Sequence, residues 1–444
     1  MTVITQIFSS PYVLAFVALI SAYVISIRIY PAIIYLSHSK DLMDEPCERS
    51  MHQGKTPTLG GIGLFLTFAI GMVLIGVFAP LPPQDVINVL ALVGATMLLL
   101  FLGVKDDLVL VSPKKKFSGQ LIAAALVVFA SDIRIVSMEG IFGFGELPYW
   151  VSVVFTVFVF LLVINAFNLI DGIDGLAGGL AILSATVFGL FFFVNGQLYL
   201  ALASVILIGA LIGFLQHNLS KRQKLFMGDS GSLFTGFLLA YLTIAFLNKS
   251  ADATAFALPI ANAPILAIAV LSYPMMDTLR VFTIRIRAGR SPFSADKNHI
   301  HHRFLSLGFS HKKSSMCIVG LNLAVVLVAL ALQDINIHLQ LFACLVVGVS
   351  LYLSPFYVKG KKTEVRLGKV VQNYTGIKDD ESIKSRNAKA PEVFDEEIAR
   401  LIKVQQEAVR MAKRESFFGK RLRAGGTSIK GKESAEGEQY QNKL

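Results

Sequence analysis

The sequence predicts an all-α, polytopic integral membrane protein with about eleven transmembrane helices, an outside N-terminus and a cytoplasmic C-terminus. Three observations predict it. Hydrophobic residues make up 54% of the chain and charged residues 16%, with a mean hydropathy of +0.62, which is outside the soluble globular range. Apolar runs of near-spanning length recur through residues 1–358. Lys and Arg crowd into alternate loops between those runs, as in cytoplasmic loops. The net charge of +11 is therefore loop charge plus a basic tail, and it does not signal nucleic-acid binding. Cys47, Cys317 and Cys344 show no paired spacing, which argues against a disulfide framework or a cysteine metal site.

The apolar runs fall at 10–36, 59–79, 86–104, 118–131, 150–167, 176–194, 197–215, 231–248, 262–284, 314–332 and 336–358. The run at 118–131 is the shortest. Residues 1–27 contain neither Lys nor Arg, so no basic segment of a cleavable signal peptide is expected there. One set of loops holds Lys40, Arg49 and Lys55, then Lys105 and Lys114 to Lys116, then Lys221, Arg222 and Lys224, and finally seven basic residues between Arg285 and Lys313. The other set holds little beyond Arg134 and Lys249. All motif-bearing stretches follow odd-numbered helices, which places them together on the cytoplasmic face.

The organising stretch is 165–179, where Asn168, Asp171 and Asp174 sit at the lip of two apolar helices. Carboxylates near hydrocarbon usually mark a pathway or a site. Gly172 and Gly175 allow a tight turn; the structural alternative is a glycine-rich turn whose Asp residues cap the next helix. In the first loop, Arg49 and Lys55 suit a phosphate or simply set topology. Gly60, Gly61 and Gly63 suit close ligand approach or helix packing.

Asp106 and Asp107 are adjacent carboxylates that need a cation or basic partners to stay ionised together. Lys116 stands nearby for a phosphate. Asp229 opens an apolar helix, either as its cap or as a hard oxygen ligand for Mg²⁺. The loop from Arg285 to Arg303 carries Arg290, His299, His301 and His302, a set suited to a diphosphate. The His-x-His-His pattern also fits a transition metal, but further ligands at zinc spacing are missing. Pro274 and Asp277 interrupt the ninth run, with Asp277 near the site or paired with Arg280.

Residues 1–358 are expected to form the membrane domain. Residues 359–444 are expected to be a basic cytoplasmic tail, partly disordered, with an amphipathic helix within 391–418.

The ordered set Asp106-Asp107, Asn168-Leu-Ile-Asp171-Gly-Ile-Asp174-Gly-Leu, Phe226-Met-Gly-Asp229-Ser-Gly-Ser and His299-Ile-His301-His302-Arg303 resembles the polyprenyl-phosphate N-acetylhexosamine-1-phosphate transferases. The likeness spans about residues 44–303 and includes the helix count. The His-Ile-His-His form is closer to the branch that starts O-antigen, enterobacterial common antigen or teichoic-acid linkage synthesis. It is less like the branch transferring phospho-MurNAc-pentapeptide. The resemblance implies transfer of GlcNAc-1-phosphate from a UDP-sugar to undecaprenyl phosphate, releasing UMP, at the cytoplasmic face of the inner membrane.

The resemblance further implies Asp229 as the main Mg²⁺ ligand, with Asn168 second and Mn²⁺ as a substitute metal. It implies Asp106, with Asp107 beside it, as the group that deprotonates or orients the prenyl phosphate. Asp171 and Asp174 would position the nucleotide or the metal's water shell. Asn218, Arg290, His299, His301, His302 and Arg303 would hold the sugar nucleotide, and Lys116 the lipid phosphate. Expected partners are undecaprenyl phosphate, a UDP-N-acetylhexosamine, membrane lipids and a second copy of the chain. Either direct transfer or two-step transfer through a phosphorylated Asp fits these residues. A lipid or sugar-phosphate transporter is the rival class, although its site would lie near the midplane rather than at helix ends. A scaffold acting through its tail is another. The CDP-alcohol phosphotransferase pattern is absent, since Asp174-Gly-Leu-Ala is followed by Gly178.

Overall fold

The computed structural model describes residues 10–44, 55–79, 81–250, 257, 259–291 and 298–358. The chain divides into two units, Met1–Lys361 and Lys362–Leu444, and all described residues lie in the first. The expectations for Cys47, Arg49, the tail 359–444 and the amphipathic helix within 391–418 fall outside the described residues.

The helices are α1 (Pro11–Ser39), α2 (Gly60–Phe78), α3 (Pro83–Leu108), α4 (Pro113–Ser131), α5 (Tyr149–Ile170), α6 (Leu176–Val194), α7 (Leu198–Asn218) and α8 (Gly228–Ser250). Then follow α9 (Ala263–Val270), α10 (Ser272–Arg287), α11 (Ile300–Ser306), α12 (His311–Ala331) and α13 (Ile337–Tyr357). Two short strands, β1 (Met43–Asp44) and β2 (Thr56–Pro57), pair antiparallel with Met43 opposite Pro57. Pro11, Pro83 and Pro113 stand in the first turns of α1, α3 and α4, where a missing N–H leaves no bond unmade. Ser310 and Asn336 cap α12 and α13 by accepting from the N–H groups of Lys313 and His338.

Among the described residues, nine helices are long and apolar enough to cross a membrane, or ten if the bent pair α9–α10 counts as one more span. That makes the protein a multi-pass membrane protein. The expected count of eleven is not reached, because α4 does not qualify. Its first turn is Lys114, Lys115 and Lys116, which leaves too short an apolar remainder. It nevertheless starts five residues before the run predicted at 118–131.

Helix α8 is the hub. Of its most apolar window, 94% is buried inside the protein, and it packs against α2, α3, α5, α6 and α9. Phe234, Phe237 and Tyr241 are fully buried on it, and the Phe237 ring stacks on Phe160 of α5 at 5.0 Å. Helix α7 packs against α1 and α6 on the other side. An all-round apolar helix of this kind belongs in the centre of a bundle.

The ninth apolar run is bent by 67° between α9 and α10. Pro274 explains the break, since it has no N–H to offer the Val270 carbonyl one turn back. Asn322 of α12 fills the gap. Its Nδ2 donates to the Val270 carbonyl at 3.0 Å, and its Oδ1 accepts from the Tyr273 N–H at 3.0 Å. Ser272 and Tyr352 donate to the same Asn322 oxygen at 3.1 and 2.9 Å. The Val270 carbonyl and the Tyr273 N–H at the break thus both find a partner, as a low-dielectric interior demands.

Candidate active site

The site is built around the N-terminus of α8. The Phe226 N–H donates to the Pro57 carbonyl at 2.8 Å. The N–H groups of Gly60 and Gly61 donate to the carbonyls of Phe226 and Met227 at 3.1 and 3.0 Å. The first-loop glycines therefore serve helix packing: a Cβ on Gly61 would meet the Gly231 nitrogen at 2.1 Å, and one on Gly63 the Tyr30 ring. Gly228 then turns the chain with φ +70°, and a Cβ there would lie 2.1 Å from the Thr58 carbonyl. Only glycine suits that position.

Asp229 does not cap its own helix. Asp107, from the end of α3, does so from outside. Its Oδ1 accepts from the Asp229 N–H at 2.7 Å and its Oδ2 from the Ser230 N–H at 3.1 Å. A negative group against free N–H donors at a helix start is favourable. With Asp107 occupied in this way, the Asp229 carboxylate is left to face the site.

Lys116 of α4 bridges the carboxylates. Its Nζ lies 2.9 Å from Asp106 Oδ2 and 2.8 Å from Asp229 Oδ2, and donates to Asn168 Oδ1 at 3.4 Å. Asp106 Oδ1 accepts from the Val111 N–H at 2.7 Å. Asn168, near the end of α5, donates from Nδ2 to Asp229 Oδ1 at 2.6 Å and to Ser232 Oγ at 2.8 Å. Three helix ends thus converge on Asp229.

The turn between α5 and α6 supplies the next two carboxylates. Asp171 is partly buried. Burial raises its carboxyl pKa to about 7, helped by the charges of Asp229, Asp107 and Asp174. Asp174 behaves oppositely. Burial alone would raise it, but hydrogen bonds and charge from His311 and Lys224 hold it below the usual carboxylate range. Lys224 Nζ is 2.8 Å and His311 Nδ1 3.1 Å from Asp174 Oδ2. Ser315 Oγ donates to the Asp174 carbonyl at 2.7 Å. Asn218 braces this turn: its Oδ1 accepts from the Gly175 N–H at 2.7 Å and its Nδ2 donates to the Leu225 carbonyl at 2.9 Å.

The histidine segment closes the far side. His299 Nδ1 donates to Asp277 Oδ2 at 2.8 Å, so Asp277 pairs with His299 rather than with Arg280. Arg280 donates to the Asn298 carbonyl. His301 is 1% exposed, and neither ring nitrogen has a hydrogen-bond partner among the described residues. Burial and the neighbouring His302, His299 and His311 hold its pKa well below the usual range. Its Nε2 lies 2.6 Å from where a Cβ on Gly172 would stand, so glycine is what lets the ring meet the turn beside Asp171.

Asp107, Asn168, Asp171, Asp174, Asp229 and Ser232 line one cavity of about 610 Å³, together with Lys224, His302 and His311. That is an ordinary volume for a small-molecule site. Such a concentration of hard oxygen donors is the donor set that a hard divalent cation fits.

Of the residues predicted to hold the sugar nucleotide, four do not line this cavity: His299 and His301 are buried, and Arg303 and Arg290 lie elsewhere. Arg303 donates to the carbonyls of Pro355 and Val358 at 3.1 and 2.7 Å; its guanidinium caps the end of α13, the usual favourable place for a cation. Arg290 is exposed beyond α10 and does not line the cavity. Lys224 and His311 are the residues that sequence reasoning missed. Lys224 stood among the basic loop residues Lys221 to Lys224, where topology alone accounted for the charge, and His311 stands beside Lys312 and Lys313 with no motif of its own.

Residues 89–247 match the profile of glycosyl transferase family 4. Decaprenyl-phosphate N-acetylglucosaminephosphotransferase of Mycolicibacterium smegmatis is 35% identical over 289 residues, covering 62% of this chain and 71% of that protein. The probable undecaprenyl-phosphate N-acetylglucosaminyl 1-phosphate transferase of Bacillus subtilis is 29% identical over 309 residues, 68% of this chain and 80% of that protein. The undecaprenyl-phosphate alpha-N-acetylglucosaminyl 1-phosphate transferase of Escherichia coli K12 is 30% identical over 283 residues, 62% and 72% respectively.

Proposed function

This chain belongs to glycosyl transferase family 4, and from that premise we propose that it transfers N-acetylglucosamine 1-phosphate from UDP-GlcNAc to a polyprenyl phosphate. The relatives' names support the transferred group and the lipid acceptor. One observation carries the reading: Asp106, Lys116, Asn168 and Asp229, from the ends of four different helices, meet at one end of the helical bundle. A lipid phosphate reaches such a site from the membrane edge, and a sugar nucleotide from the aqueous side. The loop charge supports a cytoplasmic face, an outside N-terminus and a cytoplasmic (inner) membrane location. Residues 1–358 carry the activity, and residues 359–444 are an appendage to it.

The attacking oxygen of the prenyl phosphate forms a bond to the β-phosphorus of the sugar nucleotide. The bond from that phosphorus to the bridging oxygen breaks, and the electron pair leaves on UMP. Lys116 receives the lipid phosphate, and Asp106 orients it while balancing the lysine charge. Asp174, held by Lys224 and His311, keeps those two side chains facing the nucleotide phosphates. Asp107 keeps Asp229 in register by capping α8. Asp229 and Asn168 would hold Mg²⁺, with Mn²⁺ as a substitute. When bound there, the ion neutralises charge as the two anions meet.

The experiment is incubation of purified protein with undecaprenyl phosphate and a panel of labelled UDP-sugars. The expected product is a labelled lipid diphosphate sugar with one UMP released per transfer. Uptake of either substrate into vesicles with no such product would replace the transferase reading with a transporter.

A further inference from the structure

Asp277 is a fully buried carboxylate on α10 that no step above uses. A buried charge is costly unless it is paired and hydrogen-bonded. Here both oxygens are engaged by one short segment. Oδ2 accepts from His299 Nδ1 at 2.8 Å, and Oδ1 accepts from the Ile300 N–H at 2.8 Å. One turn along the same face of α10, Arg280 donates to the Asn298 carbonyl. Three successive residues, Asn298 to Ile300, are therefore gripped by two side chains of a single helix. The His299 ring in turn lies nearly parallel to the His301 ring, at 12° and 5.4 Å between centroids. His301 then abuts Gly172 beside Asp171.

We propose that Asp277 is the positioning residue of the histidine segment: it fixes the tautomer and place of His299, and through that stacked ring it sets where His301 meets the Gly172 turn. This rests on the transferase reading insofar as His301 and His302 stand on the sugar-nucleotide side of the site. The rival occupant of the cluster is a transition metal, since Asp277, His299 and His301 each bring one ligand atom within 4.8 Å of the others. The geometry favours the hydrogen-bonded arrangement. His299 Nδ1 and Asp277 Oδ2 are already at hydrogen-bond distance, and the second carboxylate oxygen is taken by a backbone N–H.

The test uses the full-length enzyme as wild type, Asp277→Asn, His299→Asn and the double variant. Asp277→Asn keeps the volume but turns one acceptor into a donor. We expect kcat/KM for UDP-GlcNAc to fall about tenfold or more. The KM for polyprenyl phosphate should move by less than about twofold. The Asp277→Asn loss should largely vanish in the His299→Asn background, the mark of two residues acting as one unit. Equal losses toward both substrates, or fully additive effects, would overturn the proposal.

A second measurement needs no activity. In ¹⁵N-histidine spectra, His299, assigned by the signal lost in His299→Asn, should carry its proton on Nδ1, and Asp277→Asn should shift it. A wild-type His299 protonated on Nε2 alone overturns the proposal. So does one equivalent of bound transition metal that is lost in Asp277→Asn. If the wild type transfers no sugar phosphate, the transferase reading falls, while the nitrogen spectra still decide the role of Asp277.

Discussion

Asp107→Asn separates two roles that a motif cannot distinguish. The resemblance makes Asp107 part of a catalytic carboxylate pair; the geometry makes it the external cap of α8, accepting from two backbone N–H groups at 2.7 and 3.1 Å. Asparagine offers one oxygen in place of two, so one buried N–H loses its partner at about 1–3 kcal/mol. Loss of the charge at the helix start adds roughly 0.3–2 kcal/mol. The sum, about 1–5 kcal/mol, applies first to the placement of the α8 N-terminus and of Asp229 on it. The expected outcome in detergent is a melting temperature lowered by several degrees. Turnover should fall by about ten- to a few hundredfold, and the divalent-cation concentration for half-maximal rate should rise. Asp107→Ser, which can still cap a helix, should recover part of the lost stability. A fall in turnover beyond about 10⁴-fold, with unchanged melting temperature and unchanged metal requirement, would refute the capping argument and make Asp107 a group that touches the reacting phosphates.

Asp229→Asn should abolish turnover while leaving the yield and melting temperature of purified protein close to wild type; ordinary activity at ordinary Mg²⁺ would remove Asp229 from its role. Asp171 gives a pH dependence. Its folded pKa of about 7 lies above the unfolded carboxylate value, so the metal-free fold gains from this group at low pH and loses that gain as pH rises through about 7. Divalent cation competes with that proton, so the metal-induced rise in melting temperature should be larger at pH 8 than at pH 6, and Asp171→Asn should flatten the difference. Asn322→Ala should lower stability by about 2–5 kcal/mol, because a buried carbonyl and a buried N–H at the α9–α10 bend lose their partners together; chemical unfolding checks this, and a change under about 0.5 kcal/mol would mean the bend needs no lock. Removal of residues 359–444 should leave most transferase activity, measured as labelled lipid product.

The fold was legible because hydrocarbon imposes a simple rule: each backbone polar group must be satisfied within the segment, so apolar length predicts a helix. Every apolar run from 10–36 to 336–358 holds a helix. The failures come from local chemistry that hydropathy does not see. The 118–131 run understated α4, since Pro113 and three lysines form a helical turn that no apolar window includes. The bend in the ninth run was signalled by Pro274, but its lock, Asn322, lies on a helix 48 residues further along the chain. A lone Asn in an apolar run carries no pattern that names its partner.

The site divides along a related line. Residues whose chemistry is costly near a membrane announced themselves: Asp106, Asp107, Asp171, Asp174, Asp229 and Asp277 are each hard to explain as ordinary surface. What sequence could not apportion was which of these acids faces ligand and which serves the scaffold. That choice depends on direction. Asp107 and Asp229 both line the cavity, but one accepts from another helix's backbone N–H groups while the other accepts from the Lys116 and Asn168 side chains. Asp277 and Asp174 both pair with a histidine, yet one is sealed in the bundle and the other lines the cavity beside a lysine. The basic residues were harder still, because the charge that orients a loop and the charge that holds a phosphate are the same chemical group. Arg303 was assigned to substrate and instead clamps α13, while Lys224 was counted only as loop charge and His311 was not singled out, yet both flank Asp174. In a membrane protein, then, acidic residues at helix ends can be singled out from sequence, whereas the direction of each acid, and the partner of each basic group, takes coordinates to assign.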